Sequence, residues 1–237
     1  MNASVTQTSV PESLVPAIEL TNVQRRYASN LILSDISLSV TQGKIILLKG
    51  NNGSGKTTLL KILATRLRPS SGSGKIFGFD LIKEAHQVRK SIVYLSVFGG
   101  HYPALTAFEN LRLAAKLYDL EFTHAELEGK LEAVGLLSAR NKLVREFSSG
   151  MKKRLGLAKV LLSDAELWLL DEPYTALDEE GQHLIDELLK MAKLDGRTIV
   201  MASHDSERSM QFVDSVLWLS DGILKRNRTL EDVEVSR

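Results

Sequence analysis

Residues 45–63 read IILLKGNNGSGKTTLLKIL: an apolar run, a turn crowded with glycine, then a lysine and two threonines that open a segment of helical period. Within it, residues 50–57 fit G-x-x-x-x-G-K-[ST] in full. Each residue type has a reason to be there. Gly50, Gly53 and Gly55 let the main chain wrap closely around phosphate oxygens, so that successive N–H groups point inward. Asn51, Asn52, Ser54 and Thr58 complete the stretch that would line such an anion. The following helix, carrying Leu59, Leu60, Ile62, Leu63 and Leu67, turns its partial positive end toward the same place. Lys56 would reach the β- and γ-phosphates, and the Thr57 hydroxyl would ligate Mg²⁺. A strand, this loop and a helix in immediate succession predict nucleotide binding.

Working outward, compact apolar runs recur at 92–95, 167–170, 198–202 and 216–219, each flanked by segments of helical period. Strands buried on both faces and alternating with helices indicate a mostly parallel sheet. The fold class predicted is therefore α/β, a P-loop NTPase core with a mostly parallel sheet. Before it, residues 17–40 hold short alternating stretches (AIEL, ILSDISLSV), broken at Arg25-Arg26 and Ser29-Asn30, which predict an N-terminal antiparallel β-subdomain. Residues 69–74, PSSGSG, should be a turn ending the first helix and leading to a strand at 75–77. From about 104 to 162 strand signals vanish. Leu105, Phe108, Leu111, Leu113, Ala115, Leu117 and Leu120 recur at helical spacing, then Leu127, Leu131, Val134 and Leu137, which predicts an inserted α-helical subdomain with a small core of its own. Residues 1–16, rich in Ser, Thr, Val and Pro, read as a flexible tail, leaving 17–237 as a single domain.

Composition excludes several classes. The 237 residues are 43% hydrophobic, and 30 Lys and Arg face 29 Asp and Glu for a formal charge of +1, so no global field marks a nucleic-acid binder. There is no cysteine, which removes disulfide scaffolds, thiolate zinc sites and cysteine nucleophiles. The apolar runs fall far short of the ~20 residues a membrane helix needs, and no basic-then-apolar leader opens the chain. The expectation is a cytoplasmic protein.

A second site follows from residues 167–173, LWLLDEP, an apolar strand ending in two carboxylates. At the tip of a strand in the same sheet, Asp171 can hold Mg²⁺, and Glu172, one residue further, can polarise a water attacking a γ-phosphate. Ser203-His204-Asp205 follows the strand at 198–202, so His204 also stands at the mouth of a core strand, within reach of a γ-phosphate. His86, His101, His124 and His183 are scattered without metal-ligand spacing.

Taken together these residues resemble the ATP-binding-cassette ATPases over nearly the whole chain after the tail. The discriminating piece is Phe147-Ser148-Ser149-Gly150-Met151, with Ser148 placed 23 residues before Asp171, where that family carries its LSGGQ signature. Phe147, Ser149 and Met151 depart from the pattern, while Ser148 and Gly150 keep it. The resemblance implies that Tyr27 stacks on adenine, that Asp178 acts across a dimer interface, and that His204 is the switch histidine at the γ-phosphate. It implies ATP and Mg²⁺ as cofactors and a head-to-tail dimer with a second copy or a paralogue. In that dimer Ser148, Ser149 and Gly150 of one chain close over the partner's nucleotide. It also implies a separate transmembrane permease subunit, docked on 104–162 with the loop 96–103, which would hold the chain at the inner face of the cell membrane. No nucleic-acid partner is expected. One motif is missing: where the family has a Gln after the strand at 92–95, this chain has Val97 or Phe98, neither able to ligate a metal. Arg140, Lys142, Arg145, Lys152, Lys153 and Arg154 against Glu146 read as a solvated face, or as help for the partner's nucleotide.

Within the family, YPALTAFENL, VREFSSGMKKRLGLAKVLL and SHDSER are most similar to ATP-binding subunits of bacterial exporters, first the haem exporter of cytochrome c maturation. Drug or polysaccharide exporter subunits share much of that wording. A single-cassette accessory ATPase of iron–sulfur assembly and a non-hydrolytic regulatory module are the rival classes.

Overall fold

The computed structural model describes residues 15–97, 99–203, 206–226 and 233–234, so only the last two residues of the expected tail are among them. A long hairpin comes first: β1 (Ile18–Tyr27) and β2 (Asn30–Val40) pair antiparallel around a turn at Ala28 and Ser29. The break expected at Arg25-Arg26 does not occur. Both arginines stay in β1, where register shifts between Val23, Arg25 and Arg26 absorb the irregularity as bulges while Arg25 still pairs with Leu33.

β3 (Ile45–Lys49) leads through the glycine-rich loop into α1 (Lys56–Leu63). β4 (Ser71–Ile76) and β5 (Phe79–Asp80) then join the hairpin. β4 begins at Ser71, so most of the expected turn at 69–74 is strand. Main-chain pairing of Ser73 with Thr21 and Gly74 with Leu20 overrides the low strand propensity of Ser and Gly. α2 (Ala85–Ser91), β6 (Ile92–Leu95), α3 (Ala107–Leu117), α4 (His124–Glu132) and α5 (Ser149–Leu162) follow. α3 and α4 both start with capping boxes: Thr106 with Glu109 and Thr123 with Glu126 each exchange side-chain-to-main-chain hydrogen bonds. β7 (Leu167–Asp171), α6 (Glu179–Leu194), β8 (Thr198–Ala202), α7 (Ser206–Met210), β9 (Ser215–Ser220), β10 (Ile223–Arg226) and β11 (Val233–Glu234) complete the order.

Two sheets result. One is antiparallel, β11-β2-β1-β4-β5; the other runs β10-β9-β3-β8-β7-β6, parallel except for the β10 edge. Why the central runs are apolar at every position is visible in β3. Ile45 and Leu47 join one buried cluster, and Ile46 and Leu48 join another on the opposite face. The second cluster includes Ile18 of the hairpin and Leu60 of α1. The first includes Leu111, Leu131 and Leu155, so the inserted helices share the core of that sheet face instead of keeping the separate one expected. No described helix is long and apolar enough to cross a membrane.

Candidate nucleotide site

In the second sheet β3, β8 and β7 are neighbours and parallel, so the loops after them leave the same edge, the usual ligand edge of such sheets. After β3 come residues 50–55. β7 ends on Asp171 with Glu172 next. β8, between them, is followed by Ser203. His204, to which a γ-phosphate contact was ascribed, lies outside the described residues, as does Asp205.

The loop after β3 curls around its own lysine. Lys56 is buried, and its Nζ donates to the carbonyls of Gly50 at 2.6 Å and Asn51 at 3.1 Å, across the mouth of the loop. Gly55, the N-cap of α1, has φ of +106°, a left-handed backbone that side chains other than hydrogen strain. At Gly50 the limit is space: a Cβ would fall 2.1 Å from the carbonyl oxygen of Leu219. Ser54 is buried, and its hydroxyl oxygen has no hydrogen-bond partner. A buried hydroxyl left unpartnered in a glycine-rich loop at the start of a helix suits an anion. Asn51, Asn52 and Gly53 form the exposed rim, and Thr58 is partly buried behind Thr57 in α1.

Thr57 Oγ1 donates to Asp171 Oδ1 at 3.1 Å, closing 114 residues of chain. A hydroxyl and a carboxylate are hard oxygen donors of the kind Mg²⁺ takes, alongside oxygens of its substrate. Among the described residues no group of three or more His, Asp or Glu could hold a metal unaided, so an ion at Thr57 and Asp171 would need ligand oxygens as well. The other Asp171 oxygen, Oδ2, accepts from the phenol of Tyr94 at 3.2 Å. Burial, then the Asp171 carboxylate, pushes that phenol's pKa well up, so it stays a donor.

Glu172 sits just past β7 with φ of +50°. Its N–H donates to Ala202 of β8 at 2.8 Å, and its carbonyl accepts from Lys153 Nζ at 2.9 Å. Lys153 belongs to α5, with only 2% of its surface exposed. Burial lowers its pKa to about 8, against the pull of Asp171 and Glu172 that favours the ammonium. Tyr94 was not singled out from sequence, and Lys153 entered only as one of the basic cluster read as a solvated face or as help for the partner's nucleotide, whereas it is buried. For Lys153 a signal existed, since it shares the buried stripe of α5 with Leu157 and Val160.

Tyr27 is about half exposed, 47%, at the turn end of the hairpin, with the Arg25 guanidinium 4.5 Å from its ring centroid. The same hairpin reaches the glycine loop, because Ile32 and Leu33 lie against Gly55. The signature turn is presented to solvent. Ser148 and Ser149 are exposed, and Ser148 Oγ caps α5 by accepting from Met151 N at 3.2 Å. Gly150 sits so close to the acid loop that a Cβ would fall 2.9 Å from the carbonyl of Ala176. Asp178 caps α6 through Gly181 N at 3.0 Å and pairs with Arg154 at 2.7 Å, and these two contacts hold its carboxyl below the usual range. The basic cluster thus divides: Arg140 pairs with Glu128, Arg154 with Asp178, Lys153 is buried, Lys152 is partly buried, and Lys142 and Arg145 stay exposed.

Residues 33–175 match the family model described as "ABC transporter". The ATP-binding protein NatA of Bacillus subtilis is 32% identical over 225 residues, covering 91% of both chains. The bacitracin transport ATP-binding protein BcrA of Bacillus licheniformis is 36% identical over 217 residues, 91% of this chain and 69% of that one. Among solved structures, a dimeric post-hydrolysis state of the ATP-binding cassette MJ0796 with ADP and Pi superposes with a TM-score of 0.79. It is 25% identical, covering 90% of this chain and all of the other.

Proposed function

The chain belongs to the ABC transporter family as an ATP-binding, ATP-hydrolysing subunit, and on that premise we propose that it energises an exporter whose membrane-spanning part is a separate permease. In this proposal the main chain of 50–55 and Lys56 hold the β- and γ-phosphates of ATP, Tyr27 stacks on adenine, and Thr57 and Asp171 hold Mg²⁺. When bound, Mg²⁺ would neutralise charge developing on the transferred phosphoryl group. Glu172 is the general base that polarises the attacking water, and His204 contacts the γ-phosphate. Ser148, Ser149 and Gly150 close over the nucleotide of a second copy or paralogue in a head-to-tail pair, with Asp178 at the seam. Exposure of the signature turn suits that role. The observation supporting these roles most directly is the meeting of Thr57 with Asp171 at 3.1 Å beside the buried Lys56.

For the permease, the surface proposed is the inserted helical region, 104–162, with the loop 96–103. A cleft of about 470 Å³ borders that region, lined by Leu117 and Tyr118 at the end of α3 and by Arg66, Arg89 and Tyr94 from outside it, and Leu117 is 68% exposed. As to cargo, the bacitracin-transport relative favours the drug-exporter reading, and no relative named above is a haem exporter.

Two measurements test the proposal. Affinity capture of the full chain from membranes should bring down one polytopic protein in stoichiometric amount, and Glu172→Gln should abolish hydrolysis while accumulating an ATP-bound dimer. A Glu172→Gln protein that hydrolyses ATP at the parental rate and stays monomeric with ATP would refute the catalytic assignment. Capture of a soluble scaffold instead would refute the transport assignment.

A further inference from the structure

Lysine is an expensive side chain to bury. At 2% exposure on the apolar stripe of α5, Lys153 gives up hydration that Leu or Met would never have needed, and burying a charge is tolerated only where partners compensate it. The partners here are at the acid loop: the carbonyl of Glu172 at 2.9 Å, with the carboxylates of Asp171 and Glu172 close enough to act on the ammonium. The main chain they meet is itself unusual. Glu172 is a non-glycine residue at φ +50°, a left-handed conformation that costs about 1 kcal/mol or more and persists only when its surroundings fix it. Its N–H is tied to Ala202 of β8 and its C=O to Lys153, so the peptide groups on both sides of its Cα are held.

We infer that Lys153 is a positioning residue for Glu172: from the helix that begins at the signature turn, its ammonium pins the Glu172 carbonyl and fixes the backbone from which that carboxylate is presented. The inference rests on the role proposed for Glu172. It also gives α5 a second task, because Ser148 caps one end of a helix whose next turn grips the acid loop.

The test is steady-state ATP turnover by the full chain carrying Lys153→Met, which keeps the bulk and removes the donor, or Lys153→Gln, which restores a neutral donor. Melting temperature and ATP affinity by equilibrium dialysis are measured alongside. Lys153→Met should lower kcat ten- to a hundredfold with KM and ATP affinity within threefold, the size expected when a reacting group is misplaced. Lys153→Gln should regain at least a third of the parental kcat. A Lys153→Met kcat within twofold of the parent overturns the inference, and so does equal loss in both variants. Should Lys153→Met fail to fold, Lys153→Leu takes its place with the same thresholds, and a Lys153→Gln kcat below a third of the parent overturns the inference. Glu172→Gln, run in parallel, separates the two failures. If it leaves hydrolysis intact, the role of Glu172 is wrong; if it abolishes hydrolysis while Lys153→Met does not, only the positioning role falls.

Discussion

Asp186→Ala is the substitution whose cost the structure fixes most closely. Asp186, buried in the middle of α6, accepts from the Tyr174 hydroxyl at 2.9 Å, from Arg208 Nη2 at 2.6 Å and from Arg208 Nε at 3.0 Å. It thereby joins three segments: the acid loop two residues after Glu172, helix α6, and α7, which follows the segment after β8. Deleting one partner of a buried ion pair typically costs about 3–5 kcal/mol, because the remaining charge stays desolvated. The Arg208 side chain is 21% exposed and also reaches Gln182 at 3.0 Å, so the lower end, about 3 kcal/mol, applies. For a chain of this size about 2–4 °C of melting temperature follows each kcal/mol, so a fall of about 6–12 °C is expected. Calorimetry on the parent, Asp186→Ala, Arg208→Met and the double variant supplies both the single costs and their coupling. A double variant little worse than either single one is the expected pattern. An Asp186→Ala melting temperature within 2 °C of the parent, or fully additive losses, would refute the reasoning.

Three further outcomes can be checked. Gly50→Ala should abolish ATP binding in equilibrium dialysis, because its methyl meets the Leu219 carbonyl 2.1 Å away and the loop must open to make room. Val97→Gln places an amide oxygen in the partly buried turn after β6, and should lower the Mg²⁺ concentration for half-maximal hydrolysis; unchanged rate and Mg²⁺ dependence would count against it. His101, whose Nε2 lies 2.7 Å from the Lys152 carbonyl, has its pKa lowered to about 4, chiefly by burial and then by the Lys159, Lys152 and Lys153 charges. Between that value and the ordinary 6.5 the unfolded chain binds a proton that the folded histidine refuses, so stability falls as pH falls through this window. From pH 7 to 5 the loss should be about 2 kcal/mol smaller in His101→Asn than in the parent, as measured by urea unfolding.

What could be read from sequence was local. Residues 45–63 betray their structure because every signal falls within one strand, one turn and one helix, and the capping of α3 and α4 by Thr-x-x-Glu is local in the same way. Illegible features depend on what lies across the fold. The serines and glycines of β4 become strand through pairing with β1, and Arg25-Arg26 stay in β1 because bulges take up the misfit. Tyr94 meets Asp171 across 77 residues and Lys153 meets Glu172 across 19, so sequence spacing could reveal neither. The meeting of Asp171 with Thr57 was foreseeable only because both belong to motifs of known chemistry.

The contact between Gly150 and the Ala176 carbonyl carries a consequence for counting. In the proposed pair, the turn that touches the neighbour's ATP leans on the loop four residues beyond this chain's own Glu172. In that pair, a shift of the signature turn over one nucleotide would press on the acid loop of the other pocket. Mixing active chains with Glu172→Gln chains in varying ratio would expose this. Two independent pockets give turnover that declines linearly with the inactive fraction, whereas pockets that share a wall give a decline that follows the square of the active one.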